Sequence, residues 1–280
     1  MGFPVDAATI RRLAWHEAQV HAVPGRVVRD LGDGILLHDP VDPEPFWNRL
    51  AVVTWPSEPD AFAQRLAEIR VLFASIARQP HLWLLPPWDE PPDLAARLTG
   101  EGFEDVGAGC VMVVRPDVAR TAVGPVLAAD PGPGVRLERF GGRGWSVEAG
   151  AAASIAAVLL EAFGVDEERR AGVVAETRAS LGDPRFTHYL IRLGGVPAAV
   201  CRRATFDGLS YLSSIGTVGA ARGRGLARLV TAAALADAVA AGSELIHLGV
   251  FADNDPAIRL YEGLGFVFAA EPGPDMILLG

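Results

Sequence analysis

From Val135 onward, apolar positions fall into short runs separated by glycine, proline and acidic residues, and the period within each run indicates an element. Residues 135–140 read as a first strand, with Gly141, Gly142 and Gly144 as the loop after it. Helical spacing predicts helices over 154–163 and 166–181. Three strands follow, 185–193, 196–205 and 209–218, joined by Gly194-Gly195 and Asp207-Gly208, pairs suited to two-residue hairpin turns. Leu226, Leu229, Val230, Ala233 and Ala240 repeat at helical spacing, 244–251 reads as a strand, and 276–279 as the last one. Before that last strand lies a short capped helix. Asn254 or Asp255 can cap it, Pro256 suits its first turn, Ala257, Leu260, Tyr261 and Leu264 share a face, and Gly265 can end it in the left-handed conformation.

The first half repeats this order. Aligning Gly102-Phe103 with Gly265-Phe266, an offset of 163 (265 minus 102), holds backwards without a gap. The apolar run 81–85 then falls on 244–248, the helical segment 60–78 on 223–241, and the strand-like 47–55 on 210–218. Identity between the copies is low, so the correspondence rests on element order and length. Between them, residues 115–134 carry Pro116, Pro125, Pro131, Gly132 and Pro133, which interrupt any regular pattern and predict a linker. The expected domains are therefore 1–120 and 134–280.

Composition narrows the class. With 280 residues, half of them apolar, the chain can build one large or two medium cores. A formal charge of -9 without a lysine run argues against nucleic acid or an anionic membrane as partner. No apolar stretch has the length of a membrane span and the first residues lack a basic start followed by an apolar core, so the expectation is a soluble cytoplasmic protein. Cys110 and Cys201 each sit alone in an apolar run and read as buried free thiols. The six histidines form no ligand spacing with cysteines or carboxylates, so no metal site is expected. The chain leaves homodimer formation open.

The stretch richest in chemistry is Val218-Gly219-Ala220-Ala221-Arg222-Gly223-Arg224-Gly225-Leu226-Ala227, where a strand passes into a helix. A helix start exposes unpaired N–H groups and a partial positive charge, glycine lets phosphate oxygens approach the backbone, and Arg222 and Arg224 add charge-assisted bonds. A Walker loop is excluded, since Gly-Lys followed by Ser or Thr is missing. A dinucleotide fingerprint is excluded because Gly223-x-Gly225-x-x ends on Arg228 and no acid closes the next strand.

Arg222-x-x-Gly225-x-Ala227 resembles the (Gln/Arg)-x-x-Gly-x-(Gly/Ala) signature of the GNAT N-acetyltransferase superfamily, and Asn254 through Ala257, Leu260-Tyr261 and Gly265-Phe266 resembles that superfamily's closing segment. The predicted strand, two helices, three strands, helix, strand, helix, strand is also the GNAT order. The resemblance implies an α/β fold of two GNAT-like domains, each a mixed, mostly antiparallel twisted sheet flanked by helices. It implies acetyl-CoA or another acyl-CoA as co-substrate, bound by Arg222, Gly223, Arg224, Gly225, Leu226 and Ala227 at the pyrophosphate. The backbone of Ile215, Gly216, Thr217 and Val218 would bind the pantetheine arm as an added strand would, with Asn254 near it or purely a cap.

Tyr261 matches the family tyrosine that protonates the departing thiolate, and the acceptor would be the amine of a small molecule or peptide. For the general base, His247, His188, Glu161 and Glu176 are eligible and none is singled out, since family members often deprotonate through water. The first copy has lost these positions. Asp60 and Phe62 stand where Gly223 and Gly225 do, Leu98 for Tyr261 and Pro91 for Asn254, which implies a degenerate copy without a cofactor site. The alternative is a non-catalytic acyl-CoA-binding regulatory module, against which the retention of Tyr261 counts.

Overall fold

The computed structural model describes residues 5–142 and 150–279, which gather into two compact units. The first is built from 5–112, 249–257 and 268–279, the second from 113–142, 150–248 and 258–267. In chain order the elements are α1 (Ala7–His21), β1 (Val27–Asp30), β2 (Ile35–His38), β3 (Arg49–Ala51), α2 (Pro59–Ser75), β4 (His81–Trp83), α3 (Leu94–Gly100) and β5 (Glu104–Val114). There follow α4 (Pro116–Ala128), β6 (Val135–Gly141), α5 (Ala151–Phe163), α6 (Arg170–Leu181), β7 (Phe186–Leu193), β8 (Val196–Phe206) and β9 (Leu209–Thr217). The chain closes with α7 (Leu226–Ala240), β10 (Leu245–Phe251), α8 (Asp255–Glu262), β11 (Val267–Phe268) and β12 (Gly273–Ile277). Gly144, placed by the sequence in the loop after the first strand, lies outside the described residues.

In the first unit the strand order is β1-β2-β3-β4-β12-β5. Only β3 and β4 are parallel; the other pairs are antiparallel. Helix α2 buries Phe62, Leu66, Ile69 and Phe73, one stripe at helical spacing, against Leu36, Leu50, Leu82, Leu84 and Met276. Each such side chain contributes about 2 kcal/mol when withdrawn from water. The closing strand β12, longer toward its start than the 276–279 expected, inserts between β4 and β5. It can do so because position 273 is glycine: a Cβ there would stand 1.8 Å from the Leu84 carbonyl oxygen.

The second unit has the order β10-β9-β8-β7-β6, parallel only between β10 and β9. Both hairpins form as the sequence predicts, with positive φ at Gly194 and Gly195 (59° and 87°) and at Asp207 and Gly208 (50° and 74°). Phe140, Ile155, Val158, Leu181, Leu190 and Val200 form one core layer with α5. The alanines of α7 allow close packing, and its main helical neighbour is α4.

That neighbour corrects one expectation. Residues 115–134 are not an irregular linker, because 116–128 form α4, burying Ala119 and Val123. Pro116 occupies the first turn, where its missing N–H removes no bond, and Asp117 suits the positive helix start. Pro125 forfeits one interior bond, and the packing of α4 against α7 outweighs that loss.

The two units share backbone detail. In each unit a strand, a helix, a parallel strand and a short helix follow one another. In each the first of these strands breaks at a non-glycine residue with positive φ, Val52 at 52° and Ser214 at 53°. The strand expected over 47–55 is accordingly reduced to 49–51, preceded by a 3-10 turn at Pro45–Trp47.

The first unit also buries an ion cluster. Glu17 receives Arg49 at 2.7 Å and His21 at 2.9 Å. Burial pushes its carboxyl up, but Arg49 and then His21 outweigh this and bring it from 4.5 down to about 2. A carboxyl held below its unfolded value contributes stability that is complete above pH 4.5 and fades as pH falls through about 2. Glu17→Gln should therefore be less stable than wild type in denaturant melts at neutral pH, the gap closing as pH falls from 4.5 toward 2. A gap independent of pH would contradict the assignment.

Candidate active site

The central segment starts on β9. Its pairing with β10 runs from Leu209↔Leu245 to Leu212↔Leu248 and is not continued beyond. On the other side the register with β8 shifts between Val200↔Gly216 and Arg202↔Ser213, so β9 carries an extra residue around Ser214. Such a bulge turns the strand and leaves backbone groups from Ser213 onward without a partner on the β10 side. Within this stretch Gly216 lies against α5, where a Cβ would stand 2.8 Å from that of Ala162. The Thr217 hydroxyl is buried with no hydrogen-bond partner.

Beyond β9 the chain makes a 3-10 turn, Gly219–Ala221, and a glycine loop into α7. Gly223 and Gly225 hold left-handed conformations, φ 75° and 74°, with nothing within 4 Å of where a Cβ would stand. Gly225 caps α7 with no side-chain bond, and the first N–H returned to it is that of Leu229, at 3.0 Å. The N–H groups of Leu226, Ala227 and Arg228 thus start the helix without intrahelical acceptors. Gly223, Arg224 and Gly225 are exposed, while Leu226 is buried and fixes the helix start to the core. Arg222 is exposed and anchored, its Nε on the Thr217 carbonyl at 3.3 Å and an Nη on that of Ala162 at 3.4 Å. An orphan hydroxyl, a strand edge unpaired on its β10 side and helix-start amides without intrahelical acceptors suit an extended ligand ending in phosphate.

Tyr261 is the buried residue of α8, its ring 5.9 Å from that of Phe266. Leu264 and Phe266 donate to its carbonyl, and Gly265, φ 91°, ends the turn as the sequence predicts. Burial, and next the neighbouring Cys201 thiol, push the phenol well above its ordinary value, so it is protonated throughout the neutral range. Ile215 to Ala227 and Tyr261 all belong to the second unit, whereas Asn254 belongs to the first, where its Oδ1 accepts the Ala257 N–H at 3.3 Å.

The four eligible bases are engaged or buried. Glu161 accepts the Gly219 N–H at 2.9 Å. Glu176 pairs with buried Arg202 at 3.4 Å, whose Nε donates to Ser213 at 3.0 Å. His247 is buried with its ring 4.8 Å from Tyr211. His188 is buried against Ser180 Oγ at 2.8 Å, and burial followed by the charge of Arg202 pushes it from 6.5 to about 3. Sequence reasoning missed the bulge and the Arg202-Ser213 contact; the small Ser213-Ser214 pair ahead of Gly216 was the one available sign. Among the described residues no cluster of three or more His, Cys, Asp or Glu could hold a metal, and no helix is long and apolar enough to cross a membrane.

Residues 153–266 match the acetyltransferase (GNAT) family. A stretch of 117 residues is 37% identical to a mycothiol acetyltransferase of Kineococcus radiotolerans, covering 41% of this chain and 38% of that protein. Over its whole length the structure resembles a GCN5-related N-acetyltransferase from Kribbella flavida, with TM-score 0.68 and 25% identity over 96% of this chain and 95% of that one. It also shares the fold of a tandem GNAT protein from the clavulanic acid biosynthesis pathway, with TM-score 0.62 and 17% identity over 93% and 85% of the two chains.

His188 should stay neutral: its imidazole NMR signals should not titrate between pH 5 and 8, and a midpoint near the ordinary 6.5 would contradict the buried pairing with Ser180.

Proposed function

Because the chain has the GNAT acetyltransferase fold and carries that family's sequence over 153–266, we propose that its second unit transfers the acetyl group of acetyl-CoA to the amine of a small molecule or peptide. The observation that carries this reading is a pair of backbone stretches without partners, the β10-facing side of β9 past Leu212 and the glycine loop with the first turn of α7, between which the Val218, Gly219, Ala221 and Arg222 amides are bonded within the protein. Gly223, Arg224, Gly225, Leu226 and Ala227 would receive the pyrophosphate, with Arg222 and Arg224 adding positive charge. The backbone of Ile215, Gly216, Thr217 and Val218 would take the pantetheine arm, and Asn254 serves α8 as a cap.

The chemistry asks two things of the protein. The acceptor must attack as a neutral amine, although an alkyl ammonium loses its proton only near pH ~10. The nitrogen lone pair then forms the amide bond as the carbon–sulfur bond breaks, and the thiolate leaves with the bonding pair. Tyr261 gives that sulfur its proton and regains one from the acylated nitrogen through solvent. A phenol raised by burial is fully protonated for this role. With Glu161, Glu176 and His188 tied to other groups, water takes the proton that the ammonium must lose.

The first unit is read as a degenerate copy that packs and does not bind acyl-CoA. Its matching helix α2 starts with Glu58, Pro59 and Asp60, the two acids exposed, and buries Phe62 where the second unit has Gly225. Negative side chains at a helix start repel a phosphate.

Acetyl-CoA at a hundred times its dissociation constant should stabilise the fold by about 2.7 kcal/mol, and Gly225→Asp should remove that shift. Tyr261→Phe should lower kcat about a hundredfold with little change in acetyl-CoA binding. A melt unmoved by acetyl-CoA would refute the reading. No amine-dependent thiol release at any pH across a broad amine panel would leave the regulatory module.

A further inference from the structure

The first unit repeats the strand break of the second, but there the backbone groups beyond the break are taken. Pairing of β3 with β4 ends at Ala51↔Trp83. Past it, Val53 N–H donates to Asp89 Oδ1 at 2.8 Å and Leu85 N–H donates to Asp89 Oδ2. Two amides, one from each diverging strand, thus converge on a single carboxylate that is 6% exposed. The next residue continues the pattern: Glu90 N–H donates to the Val53 carbonyl at 2.8 Å, and Trp55 N–H donates to the Glu90 carbonyl at 3.0 Å. Glu90 forms a parallel bridge with Thr54, as an added strand does.

The segment is also held from its other side. The Pro86 carbonyl accepts the Glu271 N–H at 2.9 Å, and the Trp88 indole donates to the Ala269 carbonyl at 3.1 Å. Burial pushes the Asp89 carboxyl up, against the pull of the Leu85 and Val53 amides, to about 6, as expected for an acid enclosed with two N–H donors as its partners.

At the repeat offset, Val53, Thr54 and Trp55 fall on Gly216, Thr217 and Val218, and counted from the strand breaks they fall on Ile215, Gly216 and Thr217. We propose that residues 86–91 are a built-in occupant of the first unit's strand cleft, with Glu90 lying along Val53–Trp55 in the place of an acyl-CoA pantetheine arm and the Asp89 carboxylate taking the two amides at its base. This rests on the reading of 215–218 as the pantetheine edge of the second unit. The first unit is then closed to acyl-CoA twice over, by acids at the start of α2 and by its own chain in the cleft. The ligand class the cleft recognises is an extended backbone-like arm bearing an oxygen acceptor, and the protein supplies it internally.

Two measurements on the full chain test this. Calorimetric titration with acetyl-CoA should give one site per wild-type chain and none for Gly225→Asp. Two sites, or one surviving in Gly225→Asp, would overturn the occupant while leaving the second-unit reading intact. No binding to wild type would instead overturn the second-unit reading, and the occupant would then be judged by amide exchange alone. Val53, Trp55 and Leu85 amides should be protected in the free protein and unaffected by saturating acetyl-CoA. Asp89→Asn keeps the side chain's shape but turns one acceptor into a donor, and should speed exchange at Val53 or Leu85 roughly tenfold. Fast exchange in the free wild type, protection appearing only with acetyl-CoA, or no response to Asp89→Asn would each overturn the proposal.

Discussion

A backbone N–H removed from water must find an acceptor, and the structure turns on where two broken strands send theirs. Val52 and Ser214 adopt positive φ, a conformation uncommon for serine and an outlier for valine; Val52 ends the regular pairing of its strand, and Ser214 interrupts that of β9, which resumes with β8 at Gly216. In the first unit the freed amides close on Asp89 and Glu90. In the second the edge stays unpaired on the β10 side and leads into a glycine loop and a helix start whose first amides have no intrahelical acceptor. One backbone device thus has two outcomes, decided by what the following residues supply.

Around that device the rest is support. The Arg222 side chain ties the loop to the end of α5, Glu161 holds the Gly219 amide, and Gly216 lets α5 lie directly on β9. Leu226 and the alanines of α7 seat the helix so that its first turn faces outward. In the first unit β12 fills the space beside β4, which only glycine at 273 allows, and Ala269 and Glu271 before it bond Trp88 and Pro86.

Much of this was legible in the sequence. The glycine loop, the hairpin pairs and the capped helix ending at Gly265 all depend on residue types with strong local preferences, and the structure forms each of them. The shared order of strand, helix, parallel strand and helix was legible, though not the positive-φ break in the first strand of each, because neither valine nor serine advertises a positive φ. Helix α4 was hidden by its prolines, since local propensity weighed Pro125 more heavily than the packing that tolerates it. The segment 86–91 was hidden for the opposite reason: a stretch containing Pro86, Pro87, Pro91 and Pro92 reads as loop, and only tertiary structure shows Asp89 bonded to the chain beyond two strands.

Crystallography of the chain with acetyl-CoA tests the central claim most directly. The account predicts diphosphate oxygens within hydrogen-bond distance of the amides of 223–227 and the arm paired to 215–218. A complex with the ligand bound elsewhere, or with those amides still facing solvent, would contradict it.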